Sequence, residues 1–202
     1  MNIPLLLSKL RNWWRLLGRL RHQRNIRTAR RVLARLARLD SEAAVLAYLR
    51  KIDPLVFEEL TLTLFENDGC VVRRNTRYSG DGGQDGQVRL PQGLFAIQCK
   101  RYRAHIDPAH VEDFARLVER EKFAGGIFAH TGRTGGESYR RMGGRRIVLL
   151  SGADLARAAG GRGSAVAAVT RKWERVATAA IPAAATECPT GPARPGRRRA
   201  RG

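Results

Sequence analysis

The sequence predicts an α/β fold in which a mixed central β-sheet is flanked by helices. Three observations support this class. Between residues 53 and 160 a helical pattern is followed by three strand-like segments, and helical and strand-like segments then alternate. The strand-like segments are short, apolar and bounded by turn residues such as glycine. The chain has 202 residues, of which 43% are hydrophobic, and this length suits one domain with extensions.

Charge divides the chain into three segments. Residues 1–52 contain 13 basic and two acidic residues, residues 53–160 contain 16 and 14, and residues 161–202 contain nine and two. We therefore expect a basic amphipathic helical arm at 1–52, a globular domain at 53–160, and a short helix with a disordered Arg-rich tail at 161–202. Basic arms around a neutral domain favour a polyanionic partner, although arms that only maintain solubility, or a biased genome, would give the same composition.

Cysteine use and hydropathy exclude several classes of protein. Cys70, Cys99 and Cys188 form no CxxC pair, so the sequence predicts neither a disulfide framework nor a zinc site. No apolar run approaches the ~20 residues that cross a bilayer. Residues 3–7 are too short for the core of a signal peptide. We expect a soluble protein of the cytoplasm.

The N-terminal segment has apolar residues at helical spacing from residue 5 to residue 39, with arginines between them. This pattern predicts one or two basic helices, broken near His22 and Gln23. Three interpretations remain open: an arm that grips DNA, a membrane-surface helix with Trp13 and Trp14 at the interface, or a helix packed on the domain or on a second subunit.

The first half of the domain is predicted to contain two helices and three strands. A helix at 41–51 ends before Asp53 and Pro54, and an amphipathic helix at 55–68 ends at Gly69 as its C-cap. A strand starts at 70–72. After a turn-rich stretch at 79–86, two further strands at 86–90 and 94–100 are joined by a turn at 91–93.

The second half is predicted to alternate helix and strand. Asp107 is the expected N-cap of a helix reaching Lys122, with Pro108 at its first position. The remaining elements are a strand at 126–130, a short helix at 137–142, a strand at 146–150, a helix at 153–159 and a helix at 164–180 around Trp173. From residue 182 onward the composition predicts disorder.

Three polar residues of the predicted hairpin are expected to meet at one edge of the sheet. Side chains two apart on a strand share a face, so Gln98 and Lys100 point the same way, whereas Phe95, Ile97 and Cys99 point into the core. Asp85 precedes Gln98 by 13 residues across a three-residue turn. The start of one strand therefore lies beside the end of the next.

These groups can support phosphodiester hydrolysis. The Asp85 carboxylate, the Gln98 amide and the exposed backbone carbonyl of Cys99 are hard oxygen ligands that suit Mg²⁺. Such an ion polarises a scissile phosphate and lowers the pKa of a bound water, and Lys100 can orient or deprotonate that water or stabilise the charged phosphorus centre. A turn-stabilising aspartate and a solvated lysine would produce the same spacing.

Six segments, taken together in this order, resemble the Mrr-like restriction endonuclease domain of the PD-(D/E)xK nuclease superfamily. The resemblance covers residues 53–157. The segments are Phe-Glu-Glu-Leu at 57–60, Gly69, Ser-Gly-Asp-Gly-Gly-Gln-Asp-Gly at 79–86, Ile-Gln-Cys-Lys-Arg-Tyr at 97–102, Gly-Ile-Phe-Ala-His-Thr at 126–131 and Ile-Val-Leu-Leu-Ser-Gly at 147–152.

The resemblance implies a restriction-endonuclease-like core and Mg²⁺-dependent cleavage of double-stranded DNA, of a restriction or DNA-processing type. By position Asp85 matches the metal-binding aspartate, Gln98 takes the place of the acidic residue, and Lys100 matches the catalytic lysine. Glu58 matches the helix glutamate that supports the metal, with the adjacent Glu59 as the alternative. Asp81 is a second candidate ligand, although a turn-forming role fits it better.

Other residues carry weaker expectations. Arg101, Tyr102 and Arg103 follow the lysine and could hold phosphates beside the scissile bond. The loop at 131–136 places Thr131 near the edge of the site. His105, His110 and His130 show no metal-ligand spacing and are expected to have packing or surface roles.

The competing function is that of a DNA-binding accessory protein without catalytic activity and with a vestigial nuclease fold. A homodimer and a separate specificity subunit remain open as partners, because no helix-turn-helix reader is evident in the sequence. Membrane contact by the N-terminal helix remains open as well.

Overall fold

A computed structural model describes residues 3–75, 83–141 and 145–179 of the chain. The helices are α1 (Ile3–Leu36), α2 (Glu42–Leu49), α3 (Pro54–Asn67), α4 (Pro108–Arg120), α5 (Gly136–Arg141), α6 (Gly152–Ala159) and α7 (Ala165–Ala179). The strands are β1 (Val72–Arg74), β2 (Gly86–Leu90), β3 (Gly93–Lys100), β4 (Gly125–His130) and β5 (Ile147–Leu150). The predicted order of helices and strands in the domain is confirmed.

The described strands form one five-stranded mixed sheet in the order β1-β2-β3-β4-β5. β1, β2 and β3 pair antiparallel, whereas β3, β4 and β5 pair parallel. The switch occurs at β3 because the turn at 91–93 returns the chain directly, whereas the connections through α4 and α5 carry it back across the sheet. The predicted α/β class with a mixed sheet is therefore correct.

The two faces of the sheet are covered by different helices. α3 packs on one face, together with α6 and α7, in a core that contains Phe57, Phe65, Phe95 and Ile97. α4 covers the other face, in a smaller core that contains Phe114. Strand β3 is buried on both faces, and it brings its polar end out of this core at Lys100.

Helix α3 begins and ends where the sequence predicts, but it is not amphipathic. Asp53 caps it by accepting hydrogen bonds from the backbone N–H groups of Leu55 and Val56 at 2.8 and 3.3 Å, and Gly69 follows it with a φ of 85°. Nearly every side chain from Val56 to Phe65 is buried. The expectation of a solvated face was wrong because α1 lies over the side of α3 that the sheet does not cover.

Helix α1 runs without a break, so the predicted interruption near His22 and Gln23 was wrong. Both residues keep the backbone N–H that proline would lack, and neither adds the backbone flexibility of glycine, so nothing at these positions interrupts the helix. His22 instead packs toward α3, where its Nδ1 lies 2.9 Å from Glu59 Oε1. The side chains of Trp13 and Trp14, the candidate ligand Asp81 and the predicted tail from residue 182 all lie outside the described residues.

Helix α7 packs on the domain. The ring of Trp173 meets that of Phe95 edge to face, with centroids 4.8 Å apart, and Lys172 Nζ donates to the Leu149 carbonyl at 2.8 Å. Lys172 also pairs with Asp154 at the start of α6. None of the described helices is both long and apolar enough to cross a membrane.

Candidate active site

The β2–β3 hairpin brings Asp85 against the end of β3. Gly86 pairs with Ile97, and the Asp85 N–H donates to the Ile97 carbonyl at 2.8 Å. The Asp85 carboxylate in turn accepts from the backbone N–H of Cys99 through Oδ2 at 2.6 Å. Asp85 therefore lies beside the Gln98–Cys99 peptide, as the spacing of the hairpin predicts.

Gln98 is almost fully buried, with 9% of its surface exposed. Its Nε2 donates to the Gly83 carbonyl, whereas its Oε1 is a buried acceptor without a hydrogen-bond partner. A Cβ at position 83 would lie 3.2 Å from Nε2, and the φ of Gly83 is 96°, so glycine is required for the chain to wrap around the amide. The orphaned amide oxygen is the kind of atom that a cation would satisfy.

Glu58 and Asp85 form a desolvated acidic pair. Burial, together with the negative charges of Asp85 and Glu59, raises the pKa of Glu58 to about 8, against the opposing charge of Lys100. Burial also raises the pKa of Asp85 to about 6, against the opposing effects of the Cys99 N–H and Lys100. Without a cation, the folded protein holds these carboxylates in surroundings that disfavour their charge.

Lys100 is the nearby basic group. It is the last residue of β3 and is half-buried, and its charge lowers the pKa of both Glu58 and Asp85. The structure thus brings Asp85, Gln98 and Lys100 to the C-terminal end of the central strand β3, and the charges of Asp85 and Lys100 act on Glu58 of α3.

Glu59 lies beside Glu58 in sequence but has different partners. It is 2% exposed, and its carboxylate lies 2.9 Å from His22 Nδ1 and 2.8 Å from Arg74 Nε. Because an α-helix turns about 100° per residue, consecutive side chains diverge. Of the two glutamates that the sequence left as alternatives, Glu59 is engaged by His22 and Arg74, whereas the charges of Asp85 and Lys100 both act on Glu58.

The donor set fits a hard divalent cation only if neutral oxygens take part. Within the described ranges, no three His, Cys, Asp or Glu side chains are grouped so that they alone could hold a metal ion. The carboxylates of Glu58 and Asp85 are electrostatically coupled, and the unpartnered Gln98 Oε1 adds a neutral oxygen. The Cys99 thiol is buried in the core, so only the backbone carbonyl of that residue could be a ligand.

The three residues after β3 differ in how they are held. Arg101 is half-buried and donates from Nη1 to the Arg50 carbonyl at 3.1 Å. The Tyr102 hydroxyl is 2.7 Å from His110 Nδ1. Arg103 alone of the three is exposed.

The sequence did not predict the pair of hydrogen bonds between Thr131 and Tyr102, here called the Thr131 clamp, that fixes the backbone after Lys100. Thr131 is fully buried, and its Oγ1 accepts from the Tyr102 N–H and donates to the Tyr102 carbonyl, both at 3.0 Å. Arg50 Nε donates to the Thr131 carbonyl at 3.0 Å. Thr131 was noted only as a loop residue near the site, and nothing in the local sequence indicates that Arg50 reaches it.

The histidines occupy packing and surface positions. His130 is fully buried, burial lowers its pKa to about 4, and Nε2 lies 3.3 Å from Thr134 Oγ1. His105 and His110 are exposed. A neutral His130 pairs in register with Lys100 across β3 and β4, so no second positive charge is added beside the lysine.

Comparison with known proteins gives one family and two similar structures. The structures are the MspJI restriction endonuclease in complex with a 27-mer oligonucleotide (23% identity, TM-score 0.46) and the DNA modification-dependent restriction endonuclease AspBHI (20% identity, TM-score 0.47). Each match covers 68% of this chain, but only 36% and 40% of those chains, so this chain spans less than half of either. Among curated proteins no match was found. A family model described as restriction endonuclease, Mrr_cat, matches residues 49–159, which is more than half of the sequence. The chain therefore belongs to this restriction endonuclease family.

Proposed function

We propose that this protein is a Mg²⁺-dependent endonuclease that hydrolyses phosphodiester bonds of double-stranded DNA in the cytoplasm, for restriction or DNA processing. The observation that carries the proposal is the electrostatically coupled acidic pair of Glu58 and Asp85 near Lys100, with the buried and unpartnered Gln98 Oε1 on the same strand as the lysine. Membership of the restriction endonuclease family supports it. The proposed organisation is a helical arm at 1–52, the nuclease domain at 53–160 and a C-terminal extension at 161–202.

The proposal divides the residues into cation ligands, a catalytic lysine and phosphate contacts. Asp85, Glu58, Gln98 and the Cys99 carbonyl would hold the cation, which supplies a positive charge that stabilises the charged phosphate. The Cys99 N–H fixes the orientation of the Asp85 carboxylate. Lys100 would orient the attacking water and stabilise negative charge on the phosphate oxygens. Arg101, Tyr102 and Arg103 would lie beside the neighbouring phosphates, with Arg103 in direct contact because it is exposed.

A plasmid-nicking assay tests the proposal. Supercoiled plasmid, prepared with and without DNA methylation, is incubated with the full chain in Mg²⁺ or in EDTA. We expect nicking in Mg²⁺ only, and a loss of at least about a thousandfold in the Asp85→Ala and Lys100→Ala variants, because each removes a group that acts on the charged phosphate. Asp113→Ala is the matched control, since Asp113 is an exposed carboxylate on α4.

Two outcomes would contradict the proposal. Unchanged nicking in both variants would show that the roles are assigned wrongly. No Mg²⁺-dependent nicking by the wild-type chain, together with normal DNA binding, would favour the accessory DNA-binding protein with a vestigial site.

A further inference from the structure

Helix α1 lies outside the segment that matches the restriction endonuclease family, which begins at residue 49. It nevertheless docks on the helix that contributes Glu58. His22 meets Glu59 at 2.9 Å, and Arg30 approaches Glu66 at 3.9 Å. From the first contact to the second, the residue number increases on both helices, so α1 and α3 run parallel. The exposed helical turn at 18–21 therefore lies at the end of the α1–α3 contact that is nearest to Glu58 and Glu59.

The exposed side of α1 carries a row of arginines, which runs from the flank of the docking face at Arg21 to the face opposite it at Arg27. Asn25, Ala29, Leu33 and Leu36 are buried and mark the face that docks on the domain. The exposed residues spaced by three or four on the other side form what we call the arginine stripe: Arg21, Arg24, Arg27 and Arg31. The stripe spans about 15 Å along the helix axis, at 1.5 Å per residue.

No acidic residue within α1 balances the charge of the stripe. Residues 3–36 contain ten basic residues and no aspartate or glutamate. In the described part of the chain, no carboxylate lies within salt-bridge distance of the stripe. Like charges three and four apart repel on a helix surface. A partner that supplies negative charge would relieve that repulsion.

Some exposed arginines outside the stripe form ion pairs. Arg116 pairs with Glu112 and Asp113 on α4. Arg120 pairs with Glu121, Arg140 with Glu137 and Arg157 with Glu42. Other exposed arginines, among them Arg73, Arg89 and Arg146, form no ion pair with a described residue, so the stripe is distinguished by the spacing of four arginines along one helix that contains no acid.

We propose that the arginine stripe binds the phosphate backbone of double-stranded DNA flanking the candidate active site. The inference rests on the proposed function for the identity of the polyanion. The stripe begins level with the glutamate pair at the N-terminal half of α3, and its length corresponds to about four phosphates of one strand. Contacts to phosphates alone carry no base information, so the stripe would raise affinity without reading sequence.

Duplex binding in EDTA, where no cleavage is expected, tests the stripe in the full chain. The test variant replaces Arg21, Arg24, Arg27 and Arg31 with Gln, and the matched control replaces Arg116, Arg120, Arg140 and Arg157 with Gln. Both remove four positive charges at exposed positions. Affinity for a fluorescent duplex is measured by anisotropy over a range of salt concentrations.

We expect the stripe variant to bind at least about tenfold more weakly and to lower the slope of log K against log salt by about three to four, because each lost phosphate contact removes about 0.9 from the slope. The control should change affinity less than about threefold. Equal weakening in both variants, or no change in the stripe variant, would overturn the proposal.

A second arm separates DNA from a lipid surface, which the apolar spacing of residues 5–20 would also suit. Co-sedimentation with vesicles of equal amounts of phosphatidylcholine and phosphatidylglycerol is measured for the same proteins. Loss of vesicle binding with unchanged DNA affinity in the stripe variant would overturn the proposal in favour of a membrane. If the wild type binds DNA through the stripe but does not nick plasmid, the nuclease function is refuted and the proposal for the arginine stripe still holds.

Discussion

Glu58 and Glu59 are neighbours on one helix, yet they have opposite electrostatic surroundings. Glu59 is closed off from solvent and held between His22 and Arg74. The pKa of Glu58 is raised to about 8, by burial first and by the charge of Asp85 second. The chain thus contains one carboxylate that stabilises the fold and one whose charge the fold opposes.

The two adjacent glutamates therefore have different roles: Glu59 stabilises the fold, and Glu58 belongs to the candidate active site. A buried carboxylate with two basic partners anchors α1 and β1 to α3, and removal of its charge should loosen both. A buried carboxylate facing another acid destabilises the folded state and persists where a ligand relieves it. We therefore expect neutral substitutions at the two positions to have effects of opposite sign on stability.

Glu59→Gln should produce the largest loss of stability. The substitution leaves Arg74 and His22 without the charge that they share, and breaking a buried ion pair costs about 3 kcal/mol or more. Thermal and urea unfolding of the full chain in EDTA measure the effect. Exposed Glu119→Gln on α4 is the control, and an unchanged midpoint in Glu59→Gln would show that the His22–Glu59–Arg74 cluster does not anchor α1.

Glu58→Gln should weaken cleavage while stabilising the metal-free protein. We expect about a ten- to hundredfold loss of plasmid nicking, which corresponds to about 1.4–2.8 kcal/mol, because one charged ligand is removed. In EDTA the melting temperature should rise, because the substitution removes a desolvated charge beside Asp85. A fall in melting temperature would contradict the proposed destabilisation of Glu58 by burial and by the charge of Asp85.

The stability difference between Glu58→Gln and the wild type should depend on pH. The pKa of Glu58 is about 8 in the folded protein and 4.5 in the reference state. Between these values the unfolded chain has released the proton and the folded protein still binds it, so rising pH destabilises the wild type. In EDTA, the advantage of the glutamine variant should therefore widen from about pH 5 to about pH 8. A constant difference would contradict this.

Thr131→Val should have the smallest effect of these substitutions. Valine keeps the shape of threonine but leaves the Tyr102 N–H and carbonyl without the Oγ1 partner. The chain after Lys100 should then be positioned less accurately, with a loss of about tenfold in kcat, or 1.4 kcal/mol, and little change in KM. Thr131→Ser retains the hydroxyl and should restore the rate. Equal rates for Val and Ser would show that the clamp does not position the lysine.

The sequence was sufficient for those parts of the site that depend on local geometry. Period-two alternation along β3 and a three-residue turn place Asp85 beside Gln98 and Lys100 without knowledge of any distant contact. The N-cap of α4 at Asp107 was predicted for the same reason, as was the glycine that follows α3, Gly69. Such features are encoded within about 15 residues of each other.

Features that depend on packing between distant segments could not be predicted. The choice between Glu58 and Glu59 required the positions of His22 and Arg74, which come from α1 and β1. The burial of α3 on both sides follows from α1, whose packing on the domain was only one of three interpretations that the sequence left open. Arg50 reaches Thr131 across 81 residues, and no local pattern indicates such a contact.

Divalent-cation binding tests the central claim most directly. Electron paramagnetic resonance can count Mn²⁺, as a stand-in for Mg²⁺, bound to the full chain in the presence of a short DNA duplex. We predict saturable binding by the wild type, strong weakening in Asp85→Asn and Glu58→Gln, and no change in the exposed Asp113→Asn control. Equal Mn²⁺ binding by the wild type and Asp85→Asn would contradict the account.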